Sequence, residues 1–214
     1  MGRARRFLES FHNRTVLFRR GRVIFVTYGL LNGAAFLIGT LVAMTYASLT
    51  RGDPFELLTF STLVLFPSVL IGSRLFSILL EWRELFRRPV KTVLKPGYML
   101  HGGVAGGAAA IVGYGYFTGS PMLPLMDAWA LALPVGEAVA RVGCYVYGCC
   151  WGRETSSNLA VRYTSPKSKV IRFHPRLHGK KLYPAQLMGT ASHLVLFLFM
   201  VALLPILPHH GMIT

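Results

Sequence analysis

Five stretches of the chain are almost uninterruptedly apolar: Val23 to Leu49, Phe55 to Leu80, Leu100 to Phe117, Met122 to Trp151 and Ala185 to Leu207. Runs of about 20 such residues match the thickness of a bilayer's hydrocarbon core, so each predicts a membrane-spanning helix. The pattern therefore predicts an all-α, polytopic integral membrane protein with about five transmembrane helices. The fourth run is long enough to tilt or bend, and Pro134 within it removes a backbone donor and predicts a kink. The third is glycine-rich at Gly102-Gly103-Val104-Ala105-Gly106-Gly107, which lets another helix or a lipid approach its backbone and predicts a buried face.

Before the first run the pattern changes. Phe7, Leu8, Phe11, Val16, Leu17 and Phe18 interleave with Arg3, Arg5, Arg6, Arg14, Arg19, Arg20 and Arg22. Such interleaving suits a helix lying on an anionic surface, and the absence of an apolar core with a small-residue cleavage site argues against a secretory signal. The expected organisation is a basic amphipathic interfacial segment at 1–22, then a single transmembrane domain at 23–214 with a basic polar loop at 153–184. The chain shows neither an internal repeat nor a low-complexity linker.

Composition narrows the class. Of 214 residues, 53% are hydrophobic and 14% charged, too apolar for a disordered chain, and three cysteines are too few for a disulfide scaffold. The formal charge of +15 makes the loops suited to an anionic partner, and the apolar spans favour phospholipid over nucleic acid. Lys and Arg number seven before the first span, one after it, five after the second, none after the third, eight after the fourth and none after the fifth. The positive-inside rule then puts the amino terminus, the 83–99 loop and the 153–184 segment in the cytoplasm.

Inside the spans lie Arg74, His101, Asp127, Glu137, Arg141 and His193. Charged groups cost about 2.5–3.5 kcal/mol at a helix centre unless partnered, so each needs a reason. Glu137 and Arg141 are four apart and can neutralise each other on one helix. Alternatively, arginines and a histidine from three spans, near glycine-rich backbone, could receive a lipid phosphate: guanidinium forks bind phosphate oxygens in pairs, and an imidazole moves a proton near neutral pH. His193, among Leu194, Val195 and Leu196, reads as a packing histidine bonded to a nearby carbonyl. Cys144, Cys149 and Cys150 lack a second ligand cluster, so no metal or other cofactor is expected, and thiols in an apolar stretch usually serve as small packing residues.

Four of these segments, with one more, resemble the bacterial prolipoprotein diacylglyceryl transferases. Tyr28-Gly29-Leu30 is similar to that family's first-helix Tyr-Gly-Leu, and Gly72-Ser73-Arg74-Leu75 to its Gly-Gly-Arg-Ile. His101-Gly102-Gly103-Val104-Ala105-Gly106 resembles His-Gly-Gly-Leu-x-Gly. Asp127, Pro134, Gly136, Arg141, Gly143, Gly148, Trp151, Gly152 and Arg153 keep the register of Gly-Arg-x-Gly-Asn-Phe-x-Asn-Gly-Glu-x-Trp-Gly and its leading helix. Tyr183-Pro184-Ala185-Gln186-Leu187 resembles His-Pro-Ser/Thr-Gln-Leu.

The resemblance implies transfer of a diacylglyceryl group from phosphatidylglycerol to a thiol, in the inner membrane of a bacterium, with glycerol phosphate leaving. By position it implies that Arg141 holds the phosphate and His101 accepts the proton of the nucleophile. Tyr28 and Arg74 would seat the head group, Gly102, Gly103, Gly143, Gly148 and Gly152 would give backbone room, and Arg153 and Gln186 would complete the substrate site. The partners implied are anionic phospholipid and a protein or small-molecule thiol. The sequence also departs from the pattern: Cys144 and Tyr147 stand at the two asparagines, Cys149 at the glutamate, Tyr183 at a histidine, and Met188-Gly189 where Tyr-Glu is usual. These departures motivate an alternative, a non-catalytic relative that binds anionic lipid and presents it to a partner.

Overall fold

The computed structural model describes residues 16–20, 23–50, 52–94 and 97–206. In chain order they form β1 (Val16–Arg20), β2 (Val23–Val26), α1 (Thr27–Leu49), α2 (Pro54–Leu80), α3 (Trp82–Arg87), α4 (Pro89–Leu94), α5 (Leu100–Thr118), α6 (Met122–Tyr147), α7 (Lys169–Phe173) and α8 (Ala185–Leu203). Among the described residues four helices are long and apolar enough to cross a membrane: α1, α2, α6 and Ala185–Ile206. α5, of 19 residues, occupies the remaining expected span, its apolar character diluted by glycine. Large apolar side chains such as Leu37, Leu41, Leu63, Ile71, Leu198 and Phe199 point outward, a surface that hydrocarbon solvates and water does not. The all-α, multi-pass membrane architecture read from the apolar runs is the one observed.

The amino-terminal expectation needs correction where it can be examined. β1 pairs antiparallel with β2, with Phe18 opposite Phe25, Arg19 opposite Ile24 and Arg20 opposite Val23. Residues 1–15 lie outside the described residues. The short sequences Val-Leu-Phe-Arg-Arg and Val-Ile-Phe-Val are rich in β-branched and aromatic residues, which favour a strand over an interfacial helix. The hairpin delays the first span, which starts at Thr27 and not Val23.

α2 is not uniform. Phe60–Leu65 is π-helical, immediately before Pro67, whose missing N–H removes one rung of the i→i−4 ladder. α6 continues through Pro134 as one helix.

The described residues fall into two compact units, 42–130 and 16–41 with 131–206. The first is built on α2 against α5. A Cβ on Gly102 would collide with the Gly72 carbonyl and Phe76 Cβ, and one on Gly106 with the Ser68 carbonyl. A Cβ on Gly72 would stand 2.9 Å from Gly106 Cα. Glycine on both sides thus lets the two backbones touch, the small-residue packing that membrane helices use in place of a hydrophobic effect. Ser73 closes the contact, its hydroxyl donating to the Met99 carbonyl at 2.8 Å while the Met99 N–H donates to the Ser73 carbonyl at 3.2 Å.

In the other unit the segment read as a basic polar loop has a core of its own. Tyr145 and Val146 from α6 are buried with Val161, Tyr163, Val170, Ile171, Leu177 and Leu182. Leu182 bridges Glu154 and Val161, with reciprocal hydrogen bonds to Val161 of 2.8 and 2.9 Å. Fully burying an aliphatic or aromatic side chain is worth about 1.5–3 kcal/mol, so this cluster can hold 153–184 as a folded cap on the end of α6.

Candidate functional site

The second half of α6 carries the site. Glu137 and Arg141 sit one turn apart, with Arg141 Nε 3.7 Å from Glu137 Oε2, so the i,i+4 pairing open at the sequence level is present. That distance is an ion pair without a hydrogen bond, and Arg141 Nε is buried and has no hydrogen-bond partner. The stem of Arg141 runs over Gly189 of α8; a Cβ there would meet Arg141 Cδ at 3.4 Å and Nε at 3.6 Å. α8 is held beside α6 at this level by the Thr190 hydroxyl, which donates to the Ala138 carbonyl at 3.2 Å.

Two residues further on, Gly143 leaves space for α1. A Cβ at this position would touch Leu31 Cβ at 3.4 Å and Asn32 Nδ2 and Tyr28 Cδ2 at 3.5 Å. Asn32 donates to the Tyr28 carbonyl at 2.8 Å, and the Tyr28 ring lies 5.1 Å from that of Tyr147. Tyr28, Arg141 and Gly143 are thus parts of one α1–α6–α8 arrangement. Asn32, Tyr147 and Gly189 belong to it as well; only the departure from the family pattern at Tyr147 and Gly189 marked them in the sequence.

α6 then stops abruptly. The N–H groups of Gly148 and Cys149 both donate to the Cys144 carbonyl, at 2.9 and 3.1 Å, and Gly148 has φ +73°, the left-handed cap conformation that glycine adopts without a Cβ penalty. Cys150 repeats the left-handed turn at φ +54°. The reversal brings the sulfurs of Cys144, Cys149 and Cys150 within 4.8 Å of one another. Hydrogen bonding with the Cys144 thiol, and then burial, pushes the Cys149 thiol up in pKa, and burial does the same for Cys150.

Gln186 and Gly152 act on this reversal. Gln186 is 1% exposed; its Nε2 donates to the Cys149 carbonyl at 2.6 Å and to the Tyr163 hydroxyl at 3.3 Å. A Cβ on Gly152 would stand 2.6 Å from the Tyr183 carbonyl oxygen, so glycine there serves close approach of two chain segments. Arg153 is exposed next to it, and its carbonyl accepts from the Tyr183 N–H at 2.9 Å.

The remaining predicted site residues belong to the other unit. His101 is exposed on the first turn of α5, its ring 6.4 Å from Phe76. Gly102 and Gly103 are buried, and the room they make is filled by α2, not left open. Arg74 spends three of its N–H groups on the chain itself: Nη1 donates to the Gly97 carbonyl at 2.9 Å, and Nη2 to Val93 and Thr92 at 2.6 and 3.1 Å. Two of those carbonyls are in the last turn of α4, where orphan acceptors attract a cation, so Arg74 caps that helix and ties the 92–97 segment to α2. His193 Nδ1 lies 2.6 Å from the Gly189 carbonyl, the packing role expected of it. Asp127, fully buried, bonds the Tyr46 hydroxyl.

Known proteins support the motif reading. Residues 15–213 match the family model described as prolipoprotein diacylglyceryl transferase. The phosphatidylglycerol–prolipoprotein diacylglyceryl transferase 2 of Clostridium perfringens is 24% identical over 177 residues, covering 82% of this chain and 66% of that protein. The transferase of the same name from Rhizobium meliloti is 29% identical over 194 residues, covering 86% and 67%. That of Rhodospirillum centenum is 31% identical over 185 residues, covering 82% and 64%. The chain spans about two thirds of the length of these curated relatives. A match running almost from end to end has one reading: the chain belongs to the prolipoprotein diacylglyceryl transferase family.

Proposed function

We propose that this protein transfers the diacylglyceryl group of phosphatidylglycerol to a thiol, with the cysteine of a prolipoprotein as the acceptor, in the inner membrane of a bacterium. The observation that carries this is Arg141: a guanidinium in the second half of a membrane helix whose buried Nε, among the described residues, lacks a hydrogen-bond partner and stands 3.7 Å from the carboxylate it pairs with. A lipid phosphate is the anion a bilayer offers to such a group, and a planar fork binds two of its oxygens at once. In the transfer the acceptor sulfur bonds to the glyceride carbon, the carbon–oxygen bond to phosphate breaks, and glycerol phosphate leaves with the electron pair. Arg141 stabilises the charge that grows on the leaving oxygen.

The thiol proton needs an acceptor, and the resemblance assigns that role to His101, exposed on the first turn of α5. Tyr28, packed against Gly143 on the helix that carries Arg141, is proposed with Gly143 to seat the head group, together with the exposed Arg153. Gln186, Gly148 and Gly152 are proposed to position the chain around it, and Arg74 to hold the start of α5. Gly102 and Gly103 serve the same start through α2.

Purified protein incubated with phosphatidylglycerol vesicles and a peptide bearing a lipoprotein cysteine should release glycerol phosphate and yield a lipidated peptide. Arg141→Ala and His101→Ala should each lose at least about a hundredfold in turnover while retaining the helical circular dichroism of the parent. Arg141→Lys should recover little, because a point charge cannot reproduce the fork. Lipid binding without release of glycerol phosphate, at any acceptor concentration, would replace this reading by the lipid-presenting one. Labelling the 153–184 segment from either side of the membrane selects the pool from which the acceptor comes; the Lys and Arg distribution supports the cytoplasmic side.

A further inference from the structure

The geometry at the end of α6 points to a second site, next to the one proposed for transfer: we propose that Cys144, Cys149 and Cys150 bind a soft, thiophilic metal ion, Zn(II) or Cu(I), through three thiolates. Sequence spacing conceals it, since Cys144 is five residues from Cys149 on what reads as a continuing helix. The helix ends instead, and two left-handed residues, Gly148 at φ +73° and Cys150 at φ +54°, fold the chain back. Left-handed backbone at a non-glycine residue is strained and collects at functional positions. Here it turns the Cys150 side chain toward the other two instead of away from them.

The dimensions suit a metal. A triangle of sulfurs with no edge longer than 4.8 Å has its centre within about 2.8 Å of each corner, and a zinc–thiolate bond is about 2.3 Å, so a contraction of about half an ångström closes the site. The three positions are graded from outside inward: Cys150 is exposed, Cys144 intermediate and Cys149 buried, which gives an ion an approach through Cys150 and leaves a fourth position facing it. Soft sulfur ligands select Zn(II), Cu(I) and their relatives over hard cations. Binding replaces three sulfur–hydrogen bonds by three metal–sulfur bonds and releases three protons to solvent.

Charge and support are in place around the sulfurs. Three thiolates leave a net negative charge with either ion, and Arg141, one turn back on α6, is close enough to act electrostatically on both Cys144 and Cys150. The backbone of the reversal is pinned from behind, by Gln186 Nε2 on the Cys149 carbonyl at 2.6 Å and by the Val170 N–H on the Gly148 carbonyl at 2.9 Å. Such supporting bonds hold ligands in place before the ion arrives.

The test uses full-length protein without a histidine tag, purified in detergent and fully reduced under argon. It is titrated with Zn(II), and separately with Cu(I) delivered from a competing chelator, and bound metal is measured by elemental analysis. About one ion per chain is expected, and Co(II) in place of Zn(II) should give a sulfur-to-cobalt charge-transfer band. Cys150→Ser, at an exposed position, should weaken binding at least about tenfold with unchanged circular dichroism. In the unaltered protein, Zn(II) should slow alkylation of Cys150 by iodoacetamide. The proposal is overturned if the reduced protein binds under about a tenth of an ion per chain, or if the triple serine variant binds as much as the parent. It is also overturned if the thiols form a disulfide in air yet hold no ion when reduced. None of these readouts involves glycerol phosphate release.

Discussion

Replacing Tyr163 by phenylalanine tests whether the cap over α6 is held by buried polar bonds as well as by its apolar core. Tyr163 is fully buried, and its hydroxyl donates to the Tyr145 carbonyl at 2.9 Å and accepts from Gln186 Nε2 at 3.3 Å. Phenylalanine keeps the ring and removes the oxygen, leaving a buried carbonyl short of a donor and an amide with only its 2.6 Å bond to Cys149. An orphaned buried group costs about 1–3 kcal/mol, and that is the expected loss near pH 8. The loss should also depend on pH in a known direction. Burial, then the nearby Tyr145 and Cys149, pushes the Tyr163 hydroxyl well above its ordinary pKa of 10.0. Above about pH 10 the unfolded chain gives up this proton and the folded chain keeps it, so the parent loses stability at up to about 1.4 kcal/mol per pH unit. Tyr163→Phe has no such proton, so the gap between the two proteins should narrow by about that much from pH 10 to pH 11. Urea unfolding in detergent micelles, followed by tryptophan fluorescence at pH 8, 10 and 11, measures both effects. A gap near zero at pH 8, or one constant across the range, would refute the reasoning.

Other substitutions probe the helix contacts and the surface. Gly148→Ala imposes φ +73° on a residue with a Cβ, which would also stand 3.1 Å from Ser168 Cβ and 3.2 Å from the Tyr163 ring; a loss of about 2 kcal/mol in thermal or urea unfolding is expected. Gly106→Leu must push α5 off α2, because the Ser68 carbonyl and Gly72 Cα occupy the space, and should yield little protein that survives size exclusion in detergent. Lys180→Ala removes a 2.9 Å ion pair with Glu154 in which both side chains are about half exposed, and should leave the unfolding midpoint nearly unchanged.

Much of this protein is legible without coordinates, for reasons specific to the bilayer. A span must satisfy its backbone internally and present apolar side chains to lipid, so composition alone marks α1, α2, α6 and α8. The glycines at 102, 103, 106 and 107 announce a close backbone approach, and His193 a bond to a nearby carbonyl; both occur. Arg141 and Glu137 are neighbours because the helix repeat makes them so. The family motifs add what periodicity lacks, the relation of these residues to a lipid-dependent reaction.

What eluded the sequence is the identity of contact partners. Arg74 reads as a head-group ligand, and nothing local announces the carbonyls of Thr92, Val93 and Gly97, about 20 positions away, to which its guanidinium donates. The 153–184 segment looks like polar loop because its buried residues, Val161, Tyr163, Val170, Ile171, Leu177 and Leu182, follow no helical or strand period. The strand pair at 16–20 and 23–26 is hidden by arginines whose interleaving mimics an interfacial helix.

The sequence by itself determined which segments form the long helices, where each begins and ends to within a few residues, and which family the chain joins. These follow from local sums: the transfer free energy of one segment into lipid and the spacing of motif residues along it. Only the tertiary structure decided that the glycines of α5 are filled by α2, that Gln186 holds the carbonyl of Cys149, and that three thiols face one another at the end of α6. Those are pairwise facts, set by which distant groups can satisfy one another's hydrogen bonds and fill one another's space, and no property of a single segment encodes them.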